Sequence, residues 1–305
     1  MNTLRGTVLA ISDNPGVTKF FRSSRLVRGM VSRFVAGETV QTALDATRDL
    51  AANGITATLD QLGENVGSCE EAERAVDSYG DTLRHLHRSG LEPNISVKLT
   101  MVGLEFGSEV ARRNMASILT VAREVSGFVR IDMEGSRYTE DTMTIAEELH
   151  QAFPLEVGTV IQSYMRRAEA DVRRCNKIGM RVRLVKGAYA EPEEIAFQKR
   201  VEVDENYARL TRRLLSDGSY PAIGTHDMAL IRSAIEHAQR HQIAAERYEF
   251  QMLYGVRRDQ QNRLVDDGYR MRVYVPFGTE WYPYFTRRIA ERPANALFVL
   301  RQLSG

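Results

Sequence analysis

VRIDME (129–134), GTVIQSY (158–164) and RVRLVKGAY (181–189) are the runs on which the fold turns. They are short and rich in Val, Ile, Thr or aromatic residues, which suits β-strands. Their apolar positions are nearly continuous, as in parallel strands buried on both faces. Helix-like stretches separate them. Working outward, five more runs of the same kind appear: ITATLD (55–60), ISVKLT (95–100), PAIGTH (221–226), YEFQML (248–253) and MRVYVPFG (271–278). A strand returns every ~25–40 residues, the spacing of βα units. Eight units in 305 residues predict an α/β fold, a (β/α)8 TIM-like barrel. A doubly wound sheet is the competing layout, and eight strands favour the barrel. Residues 1–305 read as a single domain, with N-terminal helices over 1–53 and the barrel over 54–305.

The N-terminal helices rest on spacing. Leu26, Val27, Met30, Val31, Phe34 and Val35 recur at helical intervals, as do Val40, Ala43, Leu44 and Ala51 after Gly37. At the other end, 281–300 reads as a terminal helix over the C-terminal face of the barrel, with Pro293 starting a new turn or kinking it. No linker or low-complexity tract interrupts the chain.

Composition is that of an ordinary globular protein, with 43% hydrophobic and 27% charged residues. Lys and Arg total 41 against 40 Asp and Glu, a net charge of +1, so charge gives no reason to propose a nucleic acid partner. The two cysteines, Cys69 and Cys175, suggest neither a disulfide framework nor a metal site, and fit a reducing cytoplasm. The N-terminus does not read as a secretory signal. No apolar run approaches the ~20 residues that cross a bilayer.

In such barrels the chemistry sits at the C-terminal ends of the strands. That rule selects Lys98; Asp132, Met133 and Glu134; Gln162; Arg183, Lys186 and Tyr189; Thr225, His226 and Asp227; Gln251, Met252 and Leu253; and Tyr274. Polar groups on otherwise apolar strands are costly unless paired or used. Their density suggests a ligand bearing charge and hydrogen-bonding groups. In the terminal helix Tyr284, Arg288 and Glu291 share one stripe, with Arg287 beside it. Adjacent arginines can clamp a carboxylate or phosphate. The plainer reading is a solvated face with Arg287 pairing Glu291, which the neighbouring Trp281, Tyr282, Tyr284 and Phe285 weaken.

SVKL, IDME, VIQSY, RLVKGAY, IGTH, EFQMLYG and YxxRRIAERP stand here in the order found in proline dehydrogenases, and from about Leu59 onward the chain resembles that family. Its length resembles the short monofunctional bacterial enzymes. The resemblance implies bound FAD and oxidation of L-proline to Δ1-pyrroline-5-carboxylate, with a membrane quinone as electron acceptor. It implies that Arg287, Arg288 and Lys98 bind the substrate carboxylate, and that Tyr284, Tyr189, Leu253 and Tyr274 wall the proline ring. It further implies that Asp132 and Glu291 belong to the ionic network ordering the site and that Arg183 lies near flavin N5, which makes Asp132, Arg183 and Tyr274 the expected catalytic group. By the same resemblance Met133, Gln162, the Lys186-Gly187-Ala188 turn, Thr225 and His226 are expected to contact FAD. A Tyr at 284 goes with proline, and a smaller residue with hydroxyproline. A downstream pyrroline-5-carboxylate dehydrogenase is the natural partner. The AEPEE run (190–194) receives no role.

Rival readings remain open on the residues alone. Lys98 or Lys186 could form a Schiff base, which would make a barrel aldolase. A barrel that only binds an amino acid or a partner enzyme is a third reading. No GxGxxG follows a strand, so the flavin rests on the resemblance. His237 and His241, at i and i+4, read as a surface pair and no metal is expected. FRSSRLVRGMVSR (21–33) is basic and amphipathic. It suits either a peripheral contact at the inner face of the cell membrane or a helix covering one end of the barrel.

Overall fold

The structure is a computed structural model that describes residue 29 and residues 31–290, and only the backbone of residues 287–290. The helices expected over the first 28 residues, most of the basic 21–33 stretch, Glu291 and Pro293 lie outside the described residues, as do the side chains of Arg287 and Arg288. Eight strands form the barrel: β1 (Thr56–Gln61), β2 (Asn94–Lys98), β3 (Phe128–Asp132), β4 (Val157–Gln162), β5 (Arg181–Val185), β6 (Ala222–Gly224), β7 (Glu249–Leu253) and β8 (Met271–Phe277). They pair in sequence order, and β8 closes onto β1 in parallel from Thr56↔Arg272 to Gln61↔Phe277. Closure rules out the doubly wound sheet.

The helices are α1 (Val40–Ala51), α2 (Cys69–Arg88), α3 (Ser108–Glu124), α4 (Thr139–Ala152), α5 (Ala168–Ile178), α6 (Arg200–Asp217), α7 (Met228–Arg240), α8 (Arg258–Asp266) and α9 (Trp281–Ala290). α2 illustrates how the chain specifies them. Ser68 caps its first turn by accepting from Glu71 N, Glu70 and Glu71 face the positive end of the dipole, and His85, His87 and Arg88 sit at the negative end. Ala72, Ala75, Tyr79, Leu83 and Leu86 form the buried stripe.

Side chains alternate along each strand. Leu59, Val97, Ile131, Leu184, Phe250 and Val273 are buried and join the helix faces in one continuous apolar core. The intervening positions are largely polar: Thr58 and Asp60, Ser96 and Lys98, Arg130 and Asp132, Arg183, Glu249 and Gln251, Arg272 and Tyr274. They turn into the lumen, because Arg183 on β5 reaches Ser96 on β2, and Tyr274 on β8 reaches Asp132 on β3. Most barrels of this kind fill that space with branched apolar side chains.

The helix after β8 does not cover the barrel wall. α1 does so instead, packing against both β1 and β8. The chain leading into it is fastened by Ala36 N donating to Pro276 O, 2.9 Å. α9 is thereby released to the C-terminal rim. There Trp281, Tyr282, Tyr284 and Phe285 form a second cluster with Val31, Phe34, Val35, Leu62 and Val256, and Leu253 packs against it. Full burial of one such aromatic is worth roughly 1.5–3 kcal/mol, enough to seat a short helix.

Candidate active site

The C-terminal rim gathers side chains that are distant in sequence. Lys98 ends β2, and its Nζ donates to Asp60 Oδ1, 3.0 Å away, at the end of β1. Both are buried. Burial pulls the Lys98 pKa down, but the Asp60 and Asp132 carboxylates outweigh it and the net direction is up. The Asp60 pairing therefore favours the charged form of Lys98. A Schiff-base lysine must be a neutral amine, so this pairing counts against the aldolase reading. Burial pushes the Asp60 carboxyl up, with Lys98 pulling the other way.

Asp132 ends β3 and accepts from Arg183 Nη1 and from the Tyr274 hydroxyl, each at 2.8 Å. Arg183 Nη2 donates to Ser96 Oγ at 3.0 Å. Its guanidinium lies 5.2 Å from the Tyr274 ring centroid, within reach of a cation–π attraction. Burial, then Asp132, push the Tyr274 phenol well above its ordinary range, so it stays a donor. Tyr274, Asp132, Arg183 and Ser96 are one bonded chain across the lumen. The Asp60–Lys98 pair is coupled to Asp132 by charge.

Around this chain stands a ring of loop ends. Gln162, on β4, donates from Nε2 to Met133 O at 3.0 Å and Glu134 O at 3.3 Å, fastening the turn after β3. Glu134 accepts from Thr100 N and Thr100 Oγ1, and burial raises its pKa against those bonds. Lys186 joins Asp204 at 2.5 Å and Asp227 at 3.2 Å. Burial raises the Asp227 pKa, but Lys186 and the first turn of α7 outweigh it and hold Asp227 low. Thr225 Oγ1 accepts from Asp227 N, and His226 Nε2 accepts from Leu253 N at 2.9 Å. That bond fixes the proton of a neutral His226 on Nδ1.

Lys98, Asp132, Arg183 and Tyr274 therefore meet as the strand-end rule anticipates. Met133 and Gln162 meet at one turn, and Thr225, His226 and Leu253 at another. Tyr284 is buried in the α9 cluster against which Leu253 packs. Tyr189 is half-buried and Ala188 exposed in the loop after β5. Gln251 turns away from the rim and donates to Glu249 Oε1 at 2.5 Å. Asp60 and Ser96 were missed. A carboxylate closing the apolar run ITATLD was the available signal for Asp60, and nothing local marks Ser96. His237 is buried, not at the surface as expected, while His241 is exposed; their rings lie tilted with centroids 4.3 Å apart, and Ser216 Oγ is 3.2 Å from His237 Nε2. Among the described residues no group of three or more His, Cys, Asp or Glu could hold a metal ion. None of the described helices is long and apolar enough to cross a membrane.

Comparison with known proteins shows which family the chain resembles. The family described as proline dehydrogenase matches residues 43–301. Proline dehydrogenase 1 of Bacillus subtilis (strain 168) is 41% identical over 298 residues, covering 98% of each chain. Proline dehydrogenase of Deinococcus radiodurans is 38% identical over 301 residues, covering 97% of this chain and 96% of its own. Among solved structures, proline utilization A from Bdellovibrio bacteriovorus inactivated by N-propargylglycine superposes with a TM-score of 0.81 at 27% identity. That match covers 86% of this chain and 32% of the longer one.

Proposed function

The chain belongs to the proline dehydrogenase family, and from that premise we propose that it oxidises L-proline to Δ1-pyrroline-5-carboxylate with bound FAD, passes the electrons to a membrane quinone, and yields its product to a downstream pyrroline-5-carboxylate dehydrogenase. One observation carries the reading. A buried cation, Lys98, stands beside the bonded chain Asp132–Arg183–Tyr274 at the mouth of the barrel.

The residues at that mouth fit a flavin. Gln162 Oε1 and Arg183 Nε are buried with no hydrogen-bond partner among the described residues. One is an acceptor and the other a donor, which suits a ring edge bearing both kinds of group. Gly187 adopts φ +109, and a Cβ there would lie 2.2 Å from the Tyr164 ring. Only glycine fits, and its backbone stays open to close approach. Met133, Lys186, Ala188, Thr225 and His226 complete the contacts in this reading. Bound FAD supplies the hydride acceptor.

The chain's own task is to hold the proline ring. An ammonium has three N–H donors, and Asp60 takes one from Lys98, so the others are available to the substrate carboxylate. Arg287 and Arg288 share that anion, and Glu291 orders them. Tyr189, Leu253, Tyr274 and Tyr284 wall the ring. Asp132 fixes Arg183, whose positive charge stabilises negative charge arriving at the acceptor. Orientation of this kind can lower a barrier by ~7–11 kcal/mol in ideal cases.

The test is a visible spectrum of the purified protein, followed by L-proline without oxygen. Bleaching of a flavin spectrum is the expected result. A flavin that does not bleach moves the substrate elsewhere, and no flavin even after reconstitution with FAD overturns the reading. Trans-4-hydroxyproline should turn over far more slowly, because Tyr284 crowds an added hydroxyl. Comparable rates for the two substrates would remove that specificity.

A further inference from the structure

The run AEPEE (190–194) follows RLVKGAY and lies within residues 186–199, the connection from β5 to α6. Connections longer than about 12–15 residues are uncommon in compact domains and usually serve a site. Ordering each residue costs roughly 1–2 kcal/mol of backbone entropy, so a loop of this length keeps one conformation only where it is tied down.

Its returning limb is tied to the loop after β4. Arg166 N donates to Ile195 O at 2.9 Å, Phe197 N to Tyr164 O at 2.8 Å, and Arg166 Nε to Glu193 O at 2.8 Å. Its outgoing limb is tied differently. The Glu191 carboxylate accepts from Ser136 N at 2.7 Å and from Ser136 Oγ at 2.5 Å. Ser136 belongs to the loop after β3, two residues beyond Glu134. Gln198 Nε2 donates to Glu191 O at 3.0 Å and joins the two limbs. Hydrogen bonds to an ionised carboxylate are among the stronger ones in proteins.

We propose that Glu191 is a positioning residue, whose paired bonds to Ser136 latch the loop carrying Tyr189 onto the loop carrying Met133 and thereby set Tyr189 against the bound substrate. The assignment rests on the reading of Tyr189 as a ring wall. Tyr189 precedes the latch by two residues, so its backbone cannot drift far while Glu191 is held. The latch also joins the two turns between which the flavin contacts of this reading are divided, Met133 on one and Lys186-Gly187-Ala188 on the other.

The experiment compares wild type, Glu191→Ala, Glu191→Gln and Ser136→Ala as purified, with proline kinetics and limited proteolysis of the folded enzyme. Glu191→Ala should raise KM for proline about tenfold with kcat within about twofold, since losing a charged hydrogen-bond pair weakens binding of whatever the loop holds. It should also be cut faster within 188–194. Ser136→Ala keeps the backbone bond and should shift KM less. Glu191→Gln should recover most of the loss, because its amide can accept from Ser136 N and donate to Ser136 Oγ. A purely structural role would lower the yield of folded enzyme and leave KM in place. Unchanged KM in Glu191→Ala overturns the proposal, whether or not cutting accelerates. If wild type fails to oxidise proline, the functional reading and the role of Tyr189 fall together. Equal cutting rates would then dismiss the latch itself.

Discussion

Two arginine–carboxylate pairs are stacked in the same barrel and are put to different uses. At the N-terminal end Arg272 Nε lies 3.0 Å from Glu249 Oε1, while its other nitrogens bond Ala57 O and Glu92. At the C-terminal end Arg183 meets Asp132 at 2.8 Å. Every nitrogen of Arg272 has a partner, whereas Arg183 Nε has none among the described residues. The Glu249 side chain is 3% exposed and the Asp132 side chain 13%. A closed pair with no spare donor can only hold the barrel together. An open pair with a spare donor suits the ligand contact proposed for Arg183.

A third buried arginine, Arg130, lies near the lower pair and is held largely by backbone. Arg130 Nη1 donates to Thr159 O and Arg181 O, and its guanidinium sits 4.8 Å from the Phe128 ring centroid. Burial and then Arg183 press its pKa down, yet an arginine stays charged in proteins, so the carbonyls and the ring must compensate it. Gly158 leaves the space. A Cβ there would stand 2.5 Å from Arg181 O and 2.7 Å from Arg130 Nη1.

The sharpest way to break the comparison is Glu249→Ala. It removes one of the two carboxylates on Arg272, which keeps Glu92 and Ala57 O, so the loss should stay below the ~3–5 kcal/mol of a buried pair broken outright. Urea unfolding should register that loss, while kcat per folded molecule stays as in wild type. A fall in kcat at unchanged stability would erase the distinction between the two ends. Arg183→Met should do the reverse. Turnover of proline should fall by ~10²–10³, the cost of losing one preorganised electrostatic donor. Its unfolding free energy should drop by less than that of Glu249→Ala, because Tyr274 still bonds Asp132.

The smallest effect is in pH. Burial raises the Glu249 pKa, but Arg272 outweighs it and the net direction is down. A carboxyl held below its unfolded value of about 4.3 contributes stability above that pH and loses it as pH falls through the folded value. Asp60, held high by burial, has the opposite sign and favours the folded state more as it protonates. The lower pair should therefore contribute to the acid limb, with the same sign as Asp227. Unfolding free energy measured between pH 3.5 and 6 should fall less steeply in Glu249→Gln than in wild type, by at most about 1.4 kcal/mol per pH unit for one proton. Identical slopes would locate the acid sensitivity elsewhere.

How much could be read without coordinates follows from how local each signal is. Strand composition and spacing predicted eight parallel strands, and all eight are present within a few residues of the expected bounds. The strand-end rule named Lys98, Asp132, Arg183 and Tyr274, since a charged or phenolic residue on an apolar strand is visible where it stands. It passed over Arg130, Glu249 and Arg272, which lie toward the other ends of equally apolar strands. It also placed Gln251 at the rim, although that side chain turns back to Glu249.

The sequence by itself determined the βα alternation, the polar character of the rim and the family, because each is carried by short runs whose residue types and order are enough. Only the tertiary structure decided which charge meets which. Arg183 and Ser96 are 87 residues apart, and Asp132 and Tyr274 are 142 apart. Closure and register bring each pair across one lumen. It also decided that α1, rather than the helix after β8, covers the seam between β8 and β1, and that Glu191 bonds Ser136. Such partners have no fixed separation along the chain. They are chosen by which strand ends the closed barrel sets face to face, and by the cost of leaving any of those charges buried alone.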